Sequence, residues 1–432
     1  MVKILIRNTI INMRYIYCFF VFLFNTSMVL VSPFNRKAKL IIEGRKSTFK
    51  TLKHSFSPDD LVAWFHAASL GEFEQGRPLM EAFKEKYPKY KILLTFFSSS
   101  GYEIQKNYKG ADVVVYLPSD SNNNAKRFVQ LANPKYVFFI KYEFWYNFIR
   151  KAKLNGARVF QVSLILRESQ YFFSRYGSWY RKQLKNFDYF FVQNEKTKQL
   201  LSSIGLNNAK VTGDTRFDRV LQIANNKRVF PKIKEFCGDL PVIIMGSSWE
   251  KDEELMKEIL QKTNLKFKLI IAPHQIHNSH IEQIQTLFPN AIKYSEIETN
   301  SSINLSQINV LIINSIGILS SLYQYATIAY IGGGFGVGIH NILEAATFGK
   351  PICFGINYHK FNEAIDLVEL SGAFSINNAD QLKELIERLL LDKAFYNRSS
   401  DVCIKYIEDN VGACKKILSE IHMFEQKELD EK

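Results

Sequence analysis

From residue 61 onward, short apolar runs alternate with amphipathic stretches. The runs Leu61–His66, Lys91–Phe97, Asp112–Leu117, Tyr136–Ile140, Arg158–Leu164, Tyr189–Gln193 and Lys210–Thr212 read as strands. Helical spacing fills the intervals, as at Glu74–Lys86 and Glu195–Ile204. Near-continuously apolar strands separated by helices predict a parallel sheet covered on both faces. The polar stretch Arg219–Leu240, with Asn225-Asn226-Lys227-Arg228, Pro231 and Gly238, breaks this rhythm and reads as a linker. A second series follows at Val242–Met245, Lys268–Ala272, Val310–Ile313, Ile328–Ile331 and Ile352–Phe354. From about Asp380 the chain reads as helical, with a Lys/Glu-rich tail prone to fraying. The pattern therefore predicts two doubly wound α/β halves with a cleft between them. Ligands of such sheets bind beyond the carboxyl ends of the strands. The expected boundaries are 1–36 for an N-terminal segment, 37–225 and 241–395 for the halves, 226–240 for the linker and 396–432 for the tail.

The N-terminal segment has its own pattern. No charged residue lies between Arg14 and Arg36, and Tyr15 to Val31 is apolar apart from Asn25, Thr26 and Ser27. That length is near the minimum for a bilayer span. No small-x-small cleavage site follows, which argues against a signal peptide. Arg36, Lys37, Lys39, Arg45 and Lys46 outweigh Lys3, Arg7 and Arg14, which by the positive-inside rule predicts the bulk of the protein in the cytoplasm. The segment reads as a membrane anchor with a basic collar beside anionic headgroups. Spanning and in-plane placements both fit, since the polar trio weakens the span. Met13 is an alternative start, as the residues before it add little to the pattern.

Charge narrows the partners. The 432 residues carry a formal net charge of +14, which favours an anionic partner such as a phosphorylated substrate or an anionic membrane surface. No nucleic-acid signature appears, so nucleic acid is set aside. Cys18, Cys237, Cys353, Cys403 and Cys414 lack CxxC spacing and read as reduced, mostly buried thiols. His274, His277 and His280 lack carboxylate or cysteine partners, so no metal site is expected.

Candidate chemistry falls at strand ends. After Ile328–Ile331 comes the glycine-rich stretch Gly332 to Gly338, then an expected helix from about His340 to Phe348, stopped by Gly349 and Pro351. Glycines permit close backbone approach, and a helix start suits a phosphate. Asn341 and Glu344 share one helical face, and such a carboxylate suits a ribose hydroxyl. Ala68-Ser69-Leu70-Gly71-Glu72 follows the first strand; Glu72 is either a general base or only a helix cap. Lys141-Tyr142-Glu143-Phe144-Trp145 offers a sugar or lipid contact, or a surface ion pair. Arg167 precedes Arg175, Arg181, Lys182 and Lys185, interleaved with Tyr171, Phe172, Phe173, Tyr176, Trp179 and Tyr180. That suits a phosphorylated amphiphile, or equally a solvated basic face. Arg216 is placed to neutralise phosphate. Ser247 and Ser248 precede a helix opening at Glu250, Pro273-His274 follows the next strand, and Asn362 reads as a helix N-cap.

In this order, the motifs resemble those of the Kdo transferases, which add 3-deoxy-D-manno-oct-2-ulosonic acid (Kdo) to lipid A precursors. The resemblance covers nearly the whole chain, including Glu43-Gly44-Arg45-Lys46 after the apolar segment. The family's Ser-x-Gly-Glu appears as Ser69-Leu70-Gly71-Glu72, its Glu-Leu-Trp as Glu143-Phe144-Trp145 and its Arg-x-Ser as Arg167-Glu168-Ser169. Its Lys-Phe-Asp appears as Arg216-Phe217-Asp218, and its glycine loop with His-Asn-x-x-Glu as Gly332 to Glu344. The resemblance implies a metal-independent, inverting glycosyltransferase of the GT-B type, with two Rossmann-like domains and an N-terminal membrane anchor helix. It implies CMP-Kdo as donor, a substrate and not a cofactor, and a lipid A precursor as acceptor. Glu72 is the implied proton acceptor, and Glu143 and Arg216 the implied transition-state stabilisers. Pro273, His274, Gly317, Ile318, Leu319, Asn341, Ile342, Leu343 and Glu344 are the implied nucleotide contacts, with Ser247, Ser248 and Arg167 as further substrate contacts.

Two positions depart from the family's pattern. Pro273-His274 stands where the family commonly has Pro-Arg, and histidine is a weaker, pH-dependent phosphate partner. Gly317-Ile318-Leu319 stands where it commonly has Gly-Glu-Leu, so a contact there runs through backbone. Two other readings compete: a GT-B enzyme using a UDP-sugar, and a membrane-anchored binding paralogue without activity.

Overall fold

The computed structural model describes residues 2–300 and 302–430, with the backbone alone for 2–12 and 427–430. The chain divides into two compact units, Met1–Arg219 with Gly412–Lys432, and Val220–Val411.

The first unit opens with α1 (Val2–Val31) and α2 (Arg36–Ser55). Asn35 caps α2 by accepting from the Ala38 N–H at 3.1 Å. Its sheet contains β1 (Val62–Ala67), β2 (Lys91–Phe96), β3 (Val113–Tyr116), β4 (Pro134–Ile140), β5 (Arg158–Leu164), β6 (Tyr189–Val192) and β7 (Ala209–Val211). The order is β3-β2-β1-β4-β5-β6-β7. Every pairing is parallel. The strands are buried on both faces, as their apolar runs predict. Aromatic residues dominate one core layer: Trp64 packs on Phe128, Phe139 and Phe148 at 4.8 to 5.8 Å. On the opposite face, α3 (Leu70–Lys86) sets Phe73, Leu79 and Phe83 into a cluster with Ile417, Leu418 and Ile421 of the last helix.

The second unit repeats the plan. Its strands are β8 (Val242–Ser248), β9 (Lys268–Pro273), β10 (Ile292–Lys293), β11 (Val310–Ile312), β12 (Ile328–Ile331), β13 (Ile352–Phe354) and β14 (Ala373–Ser375). The order is β10-β11-β9-β8-β12-β13-β14, again wholly parallel. The strand order reverses between β1 and β4 in one unit and between β8 and β12 in the other. These are the switch points at which doubly wound sheets bind ligands.

Some expectations change. β10 and β14 are too short to show a pattern of their own. The expected linker, 226–240, holds the helix Pro231–Cys237, and the helix Thr215–Asn225 leads into it. The helix Lys393–Asn410 stays with the second unit, while Ala413–Asp430 packs on the first. Asp218 fixes that return by accepting from the Gly412 and Cys414 N–H groups at 2.7 and 2.8 Å. Residues 431–432 of the tail lie outside the described residues. The cysteines are unpaired; all but half-buried Cys18 are buried.

Candidate functional site

In the first unit the predicted residues gather at the carboxyl ends of the strands flanking the switch point. β1 ends at Ala67, and Ser69 turns the chain into α3 with its side chain facing the Glu72 N–H at 3.5 Å. The Glu72 carboxylate folds back, and its Oε2 accepts from the Ala68 N–H at 2.6 Å. The cap and the candidate base are thus one group. Burial pushes its pKa up to about 7, Glu143 adds to the rise, and the Ala68 N–H and Lys141 oppose it. A carboxyl group near 7 is matched to proton abstraction at neutral pH.

Glu143 follows β4, beside Lys141, whose φ of 67° marks a sharp turn. Its Oε2 accepts from Trp145 Nε1 at 2.5 Å and faces His66 Nε2 at 3.3 Å. His66 is fully buried in β1, and its Nδ1 lies 2.8 Å from Thr95 Oγ1, which also accepts from Trp64 Nε1 at 2.8 Å. Thr95 Oγ1 also lies 3.4 Å from the Phe65 carbonyl, so the Thr95 hydroxyl and the His66 ring link the strand core to Glu143. This chain of bonds fixes the Glu143 carboxylate and is invisible in the sequence. A histidine in an apolar strand carries no signal beyond burial.

Arg216 follows β7. Its Nε and Nη2 lie 2.8 and 2.7 Å from Asp214 Oδ2. Gln75 of α3 donates to Asp214 Oδ1 at 2.8 Å. A guanidinium held in this bidentate manner is pre-oriented. Arg167 is exposed on the loop after β5. Arg167 and Arg216 both hold down the pKa of Tyr142, which burial raises, so the two cations share the neighbourhood of the Glu143 loop.

In the second unit, Ser248, His274 and His340 meet at the ends of β8, β9 and β12. The ring of His274 stacks between Trp249 at 4.8 Å and His340 at 4.3 Å. Trp249 Nε1 donates to His340 Nε2 at 3.2 Å, which leaves that nitrogen without a proton. Burial, and secondarily His274, pushes His340 down to about 4; burial also lowers His274. Both rings are therefore neutral at neutral pH. Ser248 is buried and donates to Glu253 at 2.8 Å, and His280 faces the same carboxylate at 3.0 Å. Ser247 sits at φ 54°.

The glycine stretch differs from expectation. Its N–H groups turn largely to the protein. Gly333 donates to Asp252 at 3.0 Å, Gly332 to the Gly246 carbonyl at 2.9 Å, and Gly336 and Gly338 to the Gly333 carbonyl at 2.9 and 3.2 Å. The glycines permit close packing: a Cβ on Gly334 would lie 2.5 Å from the Gly355 nitrogen, and one on Gly332 would lie 2.2 Å from the Ser247 carbonyl. The helix expected from His340 is a single turn, Leu343–Ala346. Asn341 Oδ1 takes the Leu343 N–H at 3.1 Å, a local turn that competes with helix, so no helix-dipole site forms. Asn341 Nδ2 still donates to Glu344 at 3.1 Å, keeping that pair together, and Glu344 raises the pKa of buried Tyr323 after burial itself. Ile342 and Leu343 are buried. Gly317 adopts φ 83° and the Ile318 side chain is buried. Asn362 is the first helical residue and Phe361 the cap, without a side-chain bond.

Comparison with known proteins follows the same lines. Residues 42–219 match the family model "3-Deoxy-D-manno-octulosonic-acid transferase (kdotransferase)". The 3-deoxy-D-manno-octulosonic acid transferase of Chlamydia muridarum is 28% identical over 374 residues, 82% of this chain and 85% of its own. That of Aquifex aeolicus is 29% identical over 355 residues, 79% of this chain and 91% of its own. Among solved structures, the UDP-GlcNAc 2-epimerase of Neisseria meningitidis superimposes with a TM-score of 0.61 at 17% identity, covering 84% of this chain and 99% of its own. A glycosyltransferase from Rickettsia africae gives 0.54 at 16%, covering 84% and 97%. The structural matches show the GT-B-like fold. Residues 42–219 thus carry the Kdo transferase family's model, and over most of its length the chain is similar to Kdo transferases.

Proposed function

We propose that the protein transfers Kdo from CMP-Kdo to a lipid A precursor in lipopolysaccharide biosynthesis, with inversion, without a metal, and with Glu72 as general base. The observation that supports this best is the Glu72 carboxylate, held at the end of β1 with its pKa pushed up to about 7. In this reading, a sugar hydroxyl of the acceptor gives its proton to Glu72 as its oxygen attacks the anomeric carbon of Kdo. The bond from that carbon to the phosphate oxygen breaks, and CMP leaves with the electron pair. Glu143 and Arg216 stabilise the charge that develops. In the second unit Asn341 and Glu344 take the ribose, and the neutral His274 contacts phosphate by hydrogen bonding alone. The basic charge and the apolar α1 suit a phosphorylated lipid acceptor at the inner membrane, on its cytoplasmic face.

The test is mass spectrometry of the product from purified protein, lipid A precursor and a CMP-Kdo source. A mass increase of one or more Kdo units supports the reading, and the wild-type protein leaving the acceptor unchanged overturns it. Glu72→Gln is expected to lower turnover by roughly 10²–10⁴, the usual contribution of general-base catalysis.

A further inference from the structure

The apolar N-terminal helix was expected to serve as an anchor. In the structure it also grips the loop that carries Glu143. Along α1, Met13, Arg14, Tyr17, Cys18, Val21, Asn25, Thr26 and Met28 form one half-buried stripe at helical spacing, with Phe24 at the same spacing but 49% exposed, while Tyr15, Ile16, Phe19, Phe20, Phe22 and Leu23 are exposed on the other side. The stripe is roughly 24 Å long at the rise of an α-helix. Protein therefore partly covers one side of α1, with no residue of Met13–Val31 fully buried, and the helix lies along the first unit.

Two routes lead from this stripe to Glu143. The ring of Phe24 stacks on Phe97, just beyond β2, at 6.1 Å, and Phe97 packs on Trp145 at 4.9 Å. Trp145 Nε1 donates to Glu143 at 2.5 Å. Arg45 of α2 lies over the same Phe97 ring at 5.0 Å. On the second route, Tyr17 Oη donates to Asp120 at 2.5 Å, and Asp120 accepts from the Asn147 and Phe148 N–H groups, each at 3.0 Å. Those N–H groups open the helix Tyr146–Leu154, the element that follows Trp145 directly. Asp120 is 1% exposed, so no solvent replaces the Tyr17 bond. The Glu143 loop is thus held from α1 at its indole and at the start of its next helix.

We infer that α1 is a positioning element of the catalytic site, lying in the plane of the membrane with its exposed apolar face toward lipid and its covered stripe holding Trp145, and through it Glu143. This rests on the reading of Glu143 as a catalytic residue. A helix with this disposition gains from burying Phe19, Phe20, Phe22 and Leu23 among acyl chains.

The test uses the full chain with Phe24→Ala, Phe24→Tyr, Tyr17→Phe and Phe19→Ala, assayed with detergent-dispersed acceptor. Binding to phosphatidylglycerol/phosphatidylethanolamine vesicles is measured separately. Phe24→Ala and Tyr17→Phe are expected to lower kcat about tenfold with acceptor KM unchanged, Tyr17→Phe also leaving vesicle binding unchanged, and Phe24→Tyr to restore kcat. Because Glu143 raises the pKa of Glu72, displacing it moves the acid limb of the pH–rate profile of Phe24→Ala toward lower pH, a shift that loss of stability alone does not produce. Phe19→Ala is expected to weaken vesicle binding. In protein labelled with 5-fluorotryptophan, Phe24→Ala moves the Trp145 resonance and Phe19→Ala does not. That readout needs no turnover, so it separates failure of this inference from failure of the Kdo-transfer reading. An unmoved Trp145 resonance in Phe24→Ala, or full kcat in both stripe variants, overturns it.

Discussion

A carboxylate that must accept a proton at neutral pH has to be made less comfortable as an anion than it is in water. Glu72 meets that requirement through burial and the nearby charge of Glu143. The consequences run in opposite directions for activity and stability. If Glu72 is the general base proposed above, activity requires the ionised form, so kcat/KM should rise with pH through about 7, and the residual activity of Glu143→Gln should show that limb at lower pH. For stability, the folded state holds its proton up to about 7, whereas the unfolded chain releases it near 4.5. Stability from this group is therefore lost as pH rises from roughly 4.5 to 7. Glu72→Gln should lack that slope and be more stable than wild type at pH 8 by about 1–3 kcal/mol, measured by urea unfolding. A variant no more stable at pH 8 would refute the placement of a disfavoured charge. At this scale Glu72 was legible from a glycine and a serine beside it at a strand end, and Glu143 from its aromatic neighbours. Thr95 and His66, which hold Glu143, and Gln75, which with Asp214 holds Arg216, were not legible, because a polar residue inside a strand or helix looks the same whether it orients a neighbour or only fills space.

Among the elements, the glycine stretch after β12 shows how one pattern permits two mechanisms. Glycines admit a ligand's phosphate or a neighbouring backbone equally well. Gly332 and Gly334 admit backbone, from Ser247 and Gly355, and Asp252 claims the Gly333 N–H. The sequence cannot separate these cases, since the partner segments lie on other strands. Its helix was overestimated for a related reason: Asn341 spends its side chain on the local backbone. The neighbouring glycines supply a direct test. A Cβ at Gly334 meets fixed backbone at 2.5 Å, while at Gly336 the nearest atom is the Gly333 carbonyl oxygen at 3.6 Å. Gly334→Ala should cost on the order of 2–4 kcal/mol, whereas Gly336→Ala should stay within about 1 kcal/mol. Urea midpoints of the two variants check this, and equal midpoints would show that the loop yields. Strands were the most legible elements because parallel burial on both faces writes a continuous apolar run. β10 was missed because two residues write no run, and β14 because Ala373-Phe374-Ser375 is not a continuous apolar run.

For the whole molecule, two parallel sheets were foreseeable from the repeated alternation, but the path of the last helix was not. Cys414, Ile417, Leu418 and Ile421 make an apolar stripe that announces burial without naming its partner. It is Asp218, on a helix spanning the boundary between the units, that brings the stripe to the first sheet. The division into units makes a last prediction about the donor. If CMP-Kdo is held by the Asn341–Glu344 pair and the ends of β8 and β9, CMP alone should stabilise the second unit. Protection in amide hydrogen exchange should rise around residues 246–248, 273–274 and 341–346, with the amides of β1 and β4 unchanged. Ligand at a hundredfold excess over its Kd adds about 2.7 kcal/mol to the state that binds it. UDP should produce no comparable protection. Equal protection by UDP would favour a UDP-sugar donor on the same fold. Protection confined to the first unit would remove the donor from the second, and with it the role given to Glu344. Glu344→Ala should abolish the CMP effect while leaving the protection of β12 in free protein intact, because the glycine stretch is held by Asp252 and not by the ribose carboxylate.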